Sequence, residues 1–392
     1  MNQSAALKPI VLKAGREKSV LARHPWIFSG AVQVLPSFED GSILAVLSSE
    51  QILLGYGYFN KKSQIIGRML SFGEQNPLEA LKEYIRKSIE LRKTLCTNTN
   101  ALRLVNAEGD FCPGLIIDQY DTTCVIQIST LGMERLKGFI VETIKEYLAP
   151  SWIFELSTSA ARREEGLTSI KQTLYGEPKE SILVYEGSLK FYVDPMKGQK
   201  TGFFADLRQM RFLVSDLSKG RRVLNCCSYT GAFSCHALAG KATFCTSLDI
   251  SEEALVRVAQ HMELNGFDKS QHAEVHEDLF AFLEKDSLAY DLVILDPPAF
   301  AKRKADCKKA ARGYFEINKN VMQKVPTGSL LVTCSCSYHV SEDLFRTILF
   351  QAAKYTKRDV RILQRLRLAF DHPLNVYHPE SSYLKAFVLH IT

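Results

Sequence analysis

The spacing of hydrophobic residues changes character along this chain. Up to about Phe72 they come in short alternating segments, among them Ile43–Leu47 and Ile52–Phe59, broken by Gly and Pro. Alternation of period two with such breaks predicts a small all-β module. A polar break, Ser71–Pro77, then leads into apolar residues at helical spacing over Leu78–Leu95. Strands are expected at Leu102–Asn106, Gly114–Tyr120, Thr123–Gln127 and Trp152–Leu156, with a helix over Met133–Tyr147. This mixture predicts a compact α+β module. The pair Ser181–Tyr185 and Leu189–Val193, joined by Glu186-Gly187-Ser188, reads as a hairpin.

Beyond the hairpin, apolar strands alternate regularly with amphipathic helices. Strands are expected at Arg222–Cys226, Thr243–Asp249, Ala273–His276, Leu292–Leu295 and Ser329–Cys334. Helices are expected at Ala232–Leu238, Glu252–Asn265, Leu279–Lys285, Tyr314–Lys324 and Glu342–Ala353. This order predicts an α/β domain with a doubly wound, mostly parallel sheet. In such a sheet ligands bind beyond the carboxyl ends of the strands, where strand order reverses. The residues after each strand are therefore the ones to read for chemistry.

Composition narrows the picture without redirecting it. The chain has 392 residues, 46% hydrophobic and 23% charged, with a net charge of +6. That excludes a mainly disordered chain and suggests two or three domains at roughly 100–200 residues each. Expected boundaries are 1–73 for the β module, 74–180 for the α+β module and 181–392 for the α/β domain. No apolar run approaches the ~20 residues of a membrane span, and the first residues do not resemble a signal peptide. A cytoplasmic protein is expected. The ten cysteines show no C-x-x-C, so packed free thiols are expected rather than structural zinc or any other metal. The β module carries Lys8, Lys13, Arg16, Lys18, Arg23, Lys61, Lys62 and Arg68 against four acids. This is either a solvated surface or a phosphate-binding face.

The first strand of the α/β domain is followed by Asn225-Cys226-Cys227-Ser228-Tyr229-Thr230-Gly231. Small residues there allow a sharp turn into the N-terminus of a helix, yet the G-x-G-x-x-G of dinucleotide enzymes is missing. Asp249, after the second strand, is placed to accept from ribose hydroxyls. Asp278, after the third, can meet an adenine edge or cap the next helix. The fourth strand runs into Asp296-Pro297-Pro298-Ala299-Phe300, where two prolines hold a carboxylate and a ring rigidly in the cleft. After the fifth come Cys334 and Cys336, the first read as packing and the second as a candidate nucleophile, since it lies past the strand.

Two clusters flank these turns. Lys197–Arg211 is basic and aromatic, able to fold over a nucleoside with Phe203 stacked and Arg208 on a carboxylate. Lys302, Arg303, Lys304, Lys308, Lys309 and Arg312 follow the DPPAF turn and suit a phosphodiester backbone, an exposed loop being the plainer reading.

The runs KGQKTGFFADLRQMR, NCCSYTGAFS, SLDIS, LDPPAF and TCSCSYH, in that order, resemble class I S-adenosylmethionine-dependent rRNA methyltransferases. More narrowly the chain resembles the large-subunit rRNA cytosine-C5 methyltransferase I family, and GREKSVLARHPWIFSGAV resembles the start of that family's PUA domain. The resemblance implies a PUA domain, a central α+β domain and a Rossmann-like catalytic domain. It also implies S-adenosylmethionine as cofactor, large-subunit rRNA as partner, and a homodimer as one allowed assembly. Its nucleophile falls on Cys336, with Asp296 holding the cytosine edge. Gln199, Thr201, Phe203, Arg208, Asn225, Ser228, Gly231, Asp249, Asp278 and Asp296 would hold the cofactor. Pro297, Phe300, Lys302, Arg303 and Lys304 would meet the RNA. Related RNA cytosine methyltransferases carry a second cysteine where this chain has Pro298, so a second thiol is not available there. D-P-P-aromatic also marks enzymes that methylate exocyclic amines by direct attack, which would leave Cys336 as packing. A nicotinamide dehydrogenase lacks support without its glycines, and a non-catalytic RNA-binding protein would leave the strand-end residues unexplained.

Overall fold

The computed structural model describes residues 8–198, 201–284, 287–301 and 303–392. The chain divides into two compact units, Met1–Val184 with Val193–Ala205 and Phe370–Ser381, and Tyr185–Tyr192 with Asp206–Ala369 and Ser382–Thr392.

The first unit holds two sheets. The six-stranded one uses Ile10–Leu12, Trp26–Ile27, Val32–Val34, Ile43–Leu47, Leu53–Phe59 and Gly67–Phe72. Alternation works as expected in Ile43–Leu47, where Leu44 and Val46 turn inward onto Ile10, Leu12, Phe59 and Met69. Arg68, counted above with the basic surface, is instead buried and paired with Glu165 at 2.7 Å. The five-stranded sheet consists of Ala101–Asn106, Leu115–Tyr120, Thr123–Ile128, Trp152–Ser157 and Ile170–Gly176. Helices Pro77–Leu95 and Lys137–Leu148 cover it through Leu81, Ile85, Ile89, Ile140 and Ile144. The first of these starts where Pro77 follows Asn76, whose side chain caps the N–H groups of Leu78 and Glu79. Strand Ile170–Gly176 was not expected, because an edge strand with mostly exposed residues leaves no hydrophobic signal.

The second unit is built on seven strands: β1 Arg222–Cys226, β2 Phe244–Asp249, β3 His272–His276, β4 Leu292–Leu295, β5 Ser329–Ser335, β6 Val360–Leu366 and β7 Lys385–Ile391. Their order is β3-β2-β1-β4-β5-β7-β6. The first five are parallel, while β7 runs antiparallel to both neighbours. Strand order reverses between β1 and β4, so the cleft opens at their carboxyl ends. Register aligns Cys226 with Leu295, and Leu295 with Thr333, which brings the three following loops to one edge.

Two departures from the expected elements matter for the site. Helix Cys307–Lys324 begins at Cys307 rather than Tyr314. Ala310, Tyr314, Ile317 and Val321 face inward while Lys308, Lys309 and Arg312 are exposed, so the basic residues lie on the wet side of a helix and not in a loop. The hairpin β6–β7 was also not expected; β6 is nearly all exposed and β7 nearly all buried. Among the described residues no helix is long and apolar enough to cross a membrane.

Candidate active site

The mouth of the second unit's sheet is built by the loops after β1, β2, β4 and β5. Four fully buried apolar residues end β4, and Pro297 and Pro298 force the chain to leave the sheet extended at Asp296. After β5, Cys336 follows the last strand residue and is partly exposed, with its Sγ 3.9 Å from Asp296 Oδ1. Ser337 ties these two loops together. Its Oγ accepts from the Ala301 N–H at 3.1 Å and shares a 3.0 Å hydrogen bond with the Tyr314 hydroxyl. Tyr314 in turn packs against Phe300 at 4.6 Å between ring centroids. Burial raises the Tyr314 pKa, so its hydroxyl keeps its proton.

The two cysteines of this loop occupy different environments. Cys334 is fully buried, its Sγ against Met210 Sδ at 3.4 Å, and burial pushes its thiol well up. Cys227, after β1, has its thiol pushed up to about 12 by burial and then by the charges of Asp249, Asp296 and Asp278. All three carboxylates therefore converge on one loop.

That loop is strained and pinned. Cys227 and Tyr229 sit in the left-handed region at φ 56° and 48°, followed by Gly231 at φ 79°. Such non-glycine conformations cost about 1–3 kcal/mol each. Asp249 holds the turn by accepting from the Tyr229 N–H at 2.8 Å through Oδ2, and from the Ser251 N–H at 2.9 Å through Oδ1. At Gly231 a Cβ would meet Val258 Cγ1 at 2.9 Å, so the helix Ala232–Ala239 can start this close only on glycine. Asp278 acts as a helix cap, its Oδ1 accepting from Phe280 and Ala281, and its side of the mouth is exposed.

Most other candidates are buried or have partners within the chain. Arg208, expected on a ligand carboxylate, is 2% exposed and bonds Glu186 Oε2 at 3.1 Å. Thr201 and Phe203 belong to the first unit, where Thr201 donates to Asp118 at 2.6 Å and Phe203 is buried. Gln199 and Lys302 lie outside the described residues. Arg303 and Lys304 are exposed, and Arg303 pairs with Asp306 at 3.3 Å. In the first unit, His24, His378 and Glu380 bring ligand-type atoms within 4.8 Å of one another. His24 Nδ1, however, accepts from the Trp26 N–H at 3.1 Å. Its Nε2 faces Glu380 Oε2 at 3.6 Å.

Comparison with known proteins decides the family. Residues 148–371 match the model of S-adenosylmethionine-dependent methyltransferases, and residues 10–72 that of a PUA-like domain. The chain is 36% identical to ribosomal RNA large subunit methyltransferase I of Alteromonas mediterranea, covering 98% of both chains. It is 38% identical to the protein of the same name from Aeromonas hydrophila, covering 97% of this chain and 98% of the relative. The chain belongs to the ribosomal RNA large subunit methyltransferase I family. A Streptococcus mutans structure described as a SAM-dependent methyltransferase shares the fold, at TM-score 0.83 and 23% identity over 97% of this chain and 99% of that one.

S-adenosylmethionine is therefore the cofactor of this family member, and the mouth suits it. Ser228 Oγ and Asn225 Oδ1 are buried without a hydrogen-bond partner among the described residues. Buried polar atoms left open are costly unless a ligand fills them. Both lie beside the turn at Gly231, next to Asp249. The sequence reading missed Lys385, Tyr314 and Ser337. A signal did exist for Lys385: it is a lone cation opening an otherwise apolar strand, KAFVLHI.

Proposed function

We propose that this family member methylates carbon 5 of a cytosine in large-subunit ribosomal RNA, with Cys336 as the attacking nucleophile. The observation that carries the reading is the contrast at the end of β5. Cys336 reaches the mouth beside Asp296, whereas Cys334 is sealed in the core. The RNA substrate is taken from the names of the relatives. A PUA-like module suits structured RNA, which is recognised largely by shape and backbone. The division into PUA-like, central and methyltransferase domains at 1–73, 74–180 and 181–392 belongs to the same proposal, as does a cytoplasmic setting in which all ten cysteines stay free.

Carbon 5 of cytosine is a poor nucleophile. When bound, S-adenosylmethionine supplies a methyl group on a sulfonium. The Cys336 thiolate adds to C6, forming an S–C bond and pushing the ring's 5,6 electron pair onto C5, where the methyl is accepted. A base then takes the C5 proton, the double bond re-forms, and Sγ leaves C6 as thiolate. Asp296 is positioned to hold the cytosine edge while facing the sulfur. Asn225, Ser228 and Asp249 would bind the cofactor, and Phe300 and Pro297 would border the base.

The test is to incubate the purified chain with large-subunit rRNA and labelled methyl donor, and to identify the modified nucleoside by mass. 5-Methylcytidine is expected, lost in Cys336→Ala while cofactor binding persists. A methylated exocyclic amine, formed equally well by Cys336→Ala, would overturn the reading in favour of direct amine attack.

A further inference from the structure

The mouth holds a buried cation that has no role so far. Lys385 opens β7 opposite Ser335 of β5 and is 5% exposed. Its Nζ donates to Ser337 O at 2.6 Å and to Tyr383 O at 2.7 Å. The side chain thus runs from a residue paired with position 335 to the carbonyl of position 337, spanning Cys336. Both partners are neutral carbonyl oxygens, which orient the ammonium without cancelling its charge, and an ammonium has a third N–H to offer.

Asp296 Oδ1, 3.9 Å from Sγ, opposes ionisation of Cys336. From helix Cys307–Lys324 comes Tyr314, held neutral; from β5 comes Cys334, also neutral. From helix Glu342–Thr356 comes Glu342, which favours charge on Lys385 and is itself ion-paired with Arg365. We infer that Lys385 is a positioning residue that holds Cys336 as a thiolate against the charge of Asp296, an inference that rests on Cys336 being the nucleophile. Burial brings the Lys385 pKa down to about 8, and negative charge at Cys336 works against that fall. Each group thus favours the ionised form of the other; the proton that leaves Sγ goes to solvent.

The experiment reads the pH dependence of Cys336 carbamidomethylation by iodoacetamide in the purified full chain, followed peptide by peptide by mass spectrometry. In the unaltered protein the half-maximal rate is expected below the ~8.5 of a free thiol. Lys385→Met, which keeps the aliphatic stem, should raise that midpoint by about one pH unit, or roughly tenfold slower reaction at neutral pH. Lys385→Arg should recover most of the loss, and Asp296→Asn should lower the midpoint. An unchanged profile in folded Lys385→Met overturns the inference. So does a midpoint above the free-thiol value in the unaltered chain, a result that needs no variant to fold. Full methylation by Cys336→Ala would instead overturn the nucleophile reading and leave the alkylation profiles to be judged on their own.

Discussion

Two groups of charges in the second unit are arranged in opposite ways. In one, Glu186 is enclosed by Arg208, Arg211 and His236, with contacts of 3.1, 2.6 and 2.9 Å. Burial pushes its carboxyl up, but Arg211 and then His236 outweigh that and hold it well below the usual carboxylate range. In the other, Asp249, Asp278 and Asp296 gather around Cys227 and push its thiol up. Their recorded partners include the backbone N–H groups of Tyr229, Ser251, Phe280 and Ala281. The first group satisfies a buried charge with opposite charges; the second collects like charges beside polar atoms left open. Matched charge holds a fold together, and polar atoms left open at a cleft mouth leave room for a ligand to complete them.

The largest effect that would sharpen this contrast is expected from Glu186→Ala. It removes the carboxylate that two buried guanidinium groups share, which should cost about 3–5 kcal/mol, seen as a lower urea midpoint. Cofactor affinity at low temperature should change little. A comparable loss of affinity without loss of stability would erase the distinction.

Acid should act on stability in the same direction from a neighbouring site. His261 lies in the helix Glu252–Leu264 and accepts from the Tyr192 N–H at 2.9 Å; burial holds its pKa down to about 4 from 6.5. A depressed folded value means the unfolded chain binds the proton first, so stability falls as pH drops from 6.5 toward 4. The contribution at stake is about 3 kcal/mol. His236, lowered by burial, adds to the same trend, while Glu186 adds its own loss only below the 4.5 of a free glutamate. Urea unfolding at pH 7 and pH 4.5 measures it, and a pH-independent midpoint would contradict it.

At the mouth, Ser228→Ala should weaken S-adenosylmethionine binding by roughly tenfold, the worth of one hydrogen bond to a buried partner, with little change in stability. Calorimetric titration separates the two. The smallest effect is expected at the surface. Arg303→Ala should leave stability essentially unchanged, because its pair with Asp306 is exposed. If Arg303 meets a phosphate, the slope of log affinity against log salt should fall by about one.

The sequence by itself determined the five parallel strands, because they alternate with amphipathic helices, most plainly where a strand is an uninterrupted apolar run, as Leu292–Leu295 is. It also marked Asp249, Asp296 and Cys336, since residues just past such strands must lie at the carboxyl edge of the sheet. The capping alternative for Asp278 was legible from residue type alone. What tertiary structure decided depends on partners distant in sequence. Arg208 bonds Glu186; β6 and the edge strand Ile170–Gly176 exist through pairing rather than apolar pattern. Lys385 gained its place beside Cys336 from an antiparallel register that brings residue 385 opposite residue 335. Local periodicity is written in each segment's own side chains. Charge pairing and strand register are properties of two segments at once, and they take effect when the chain closes on itself.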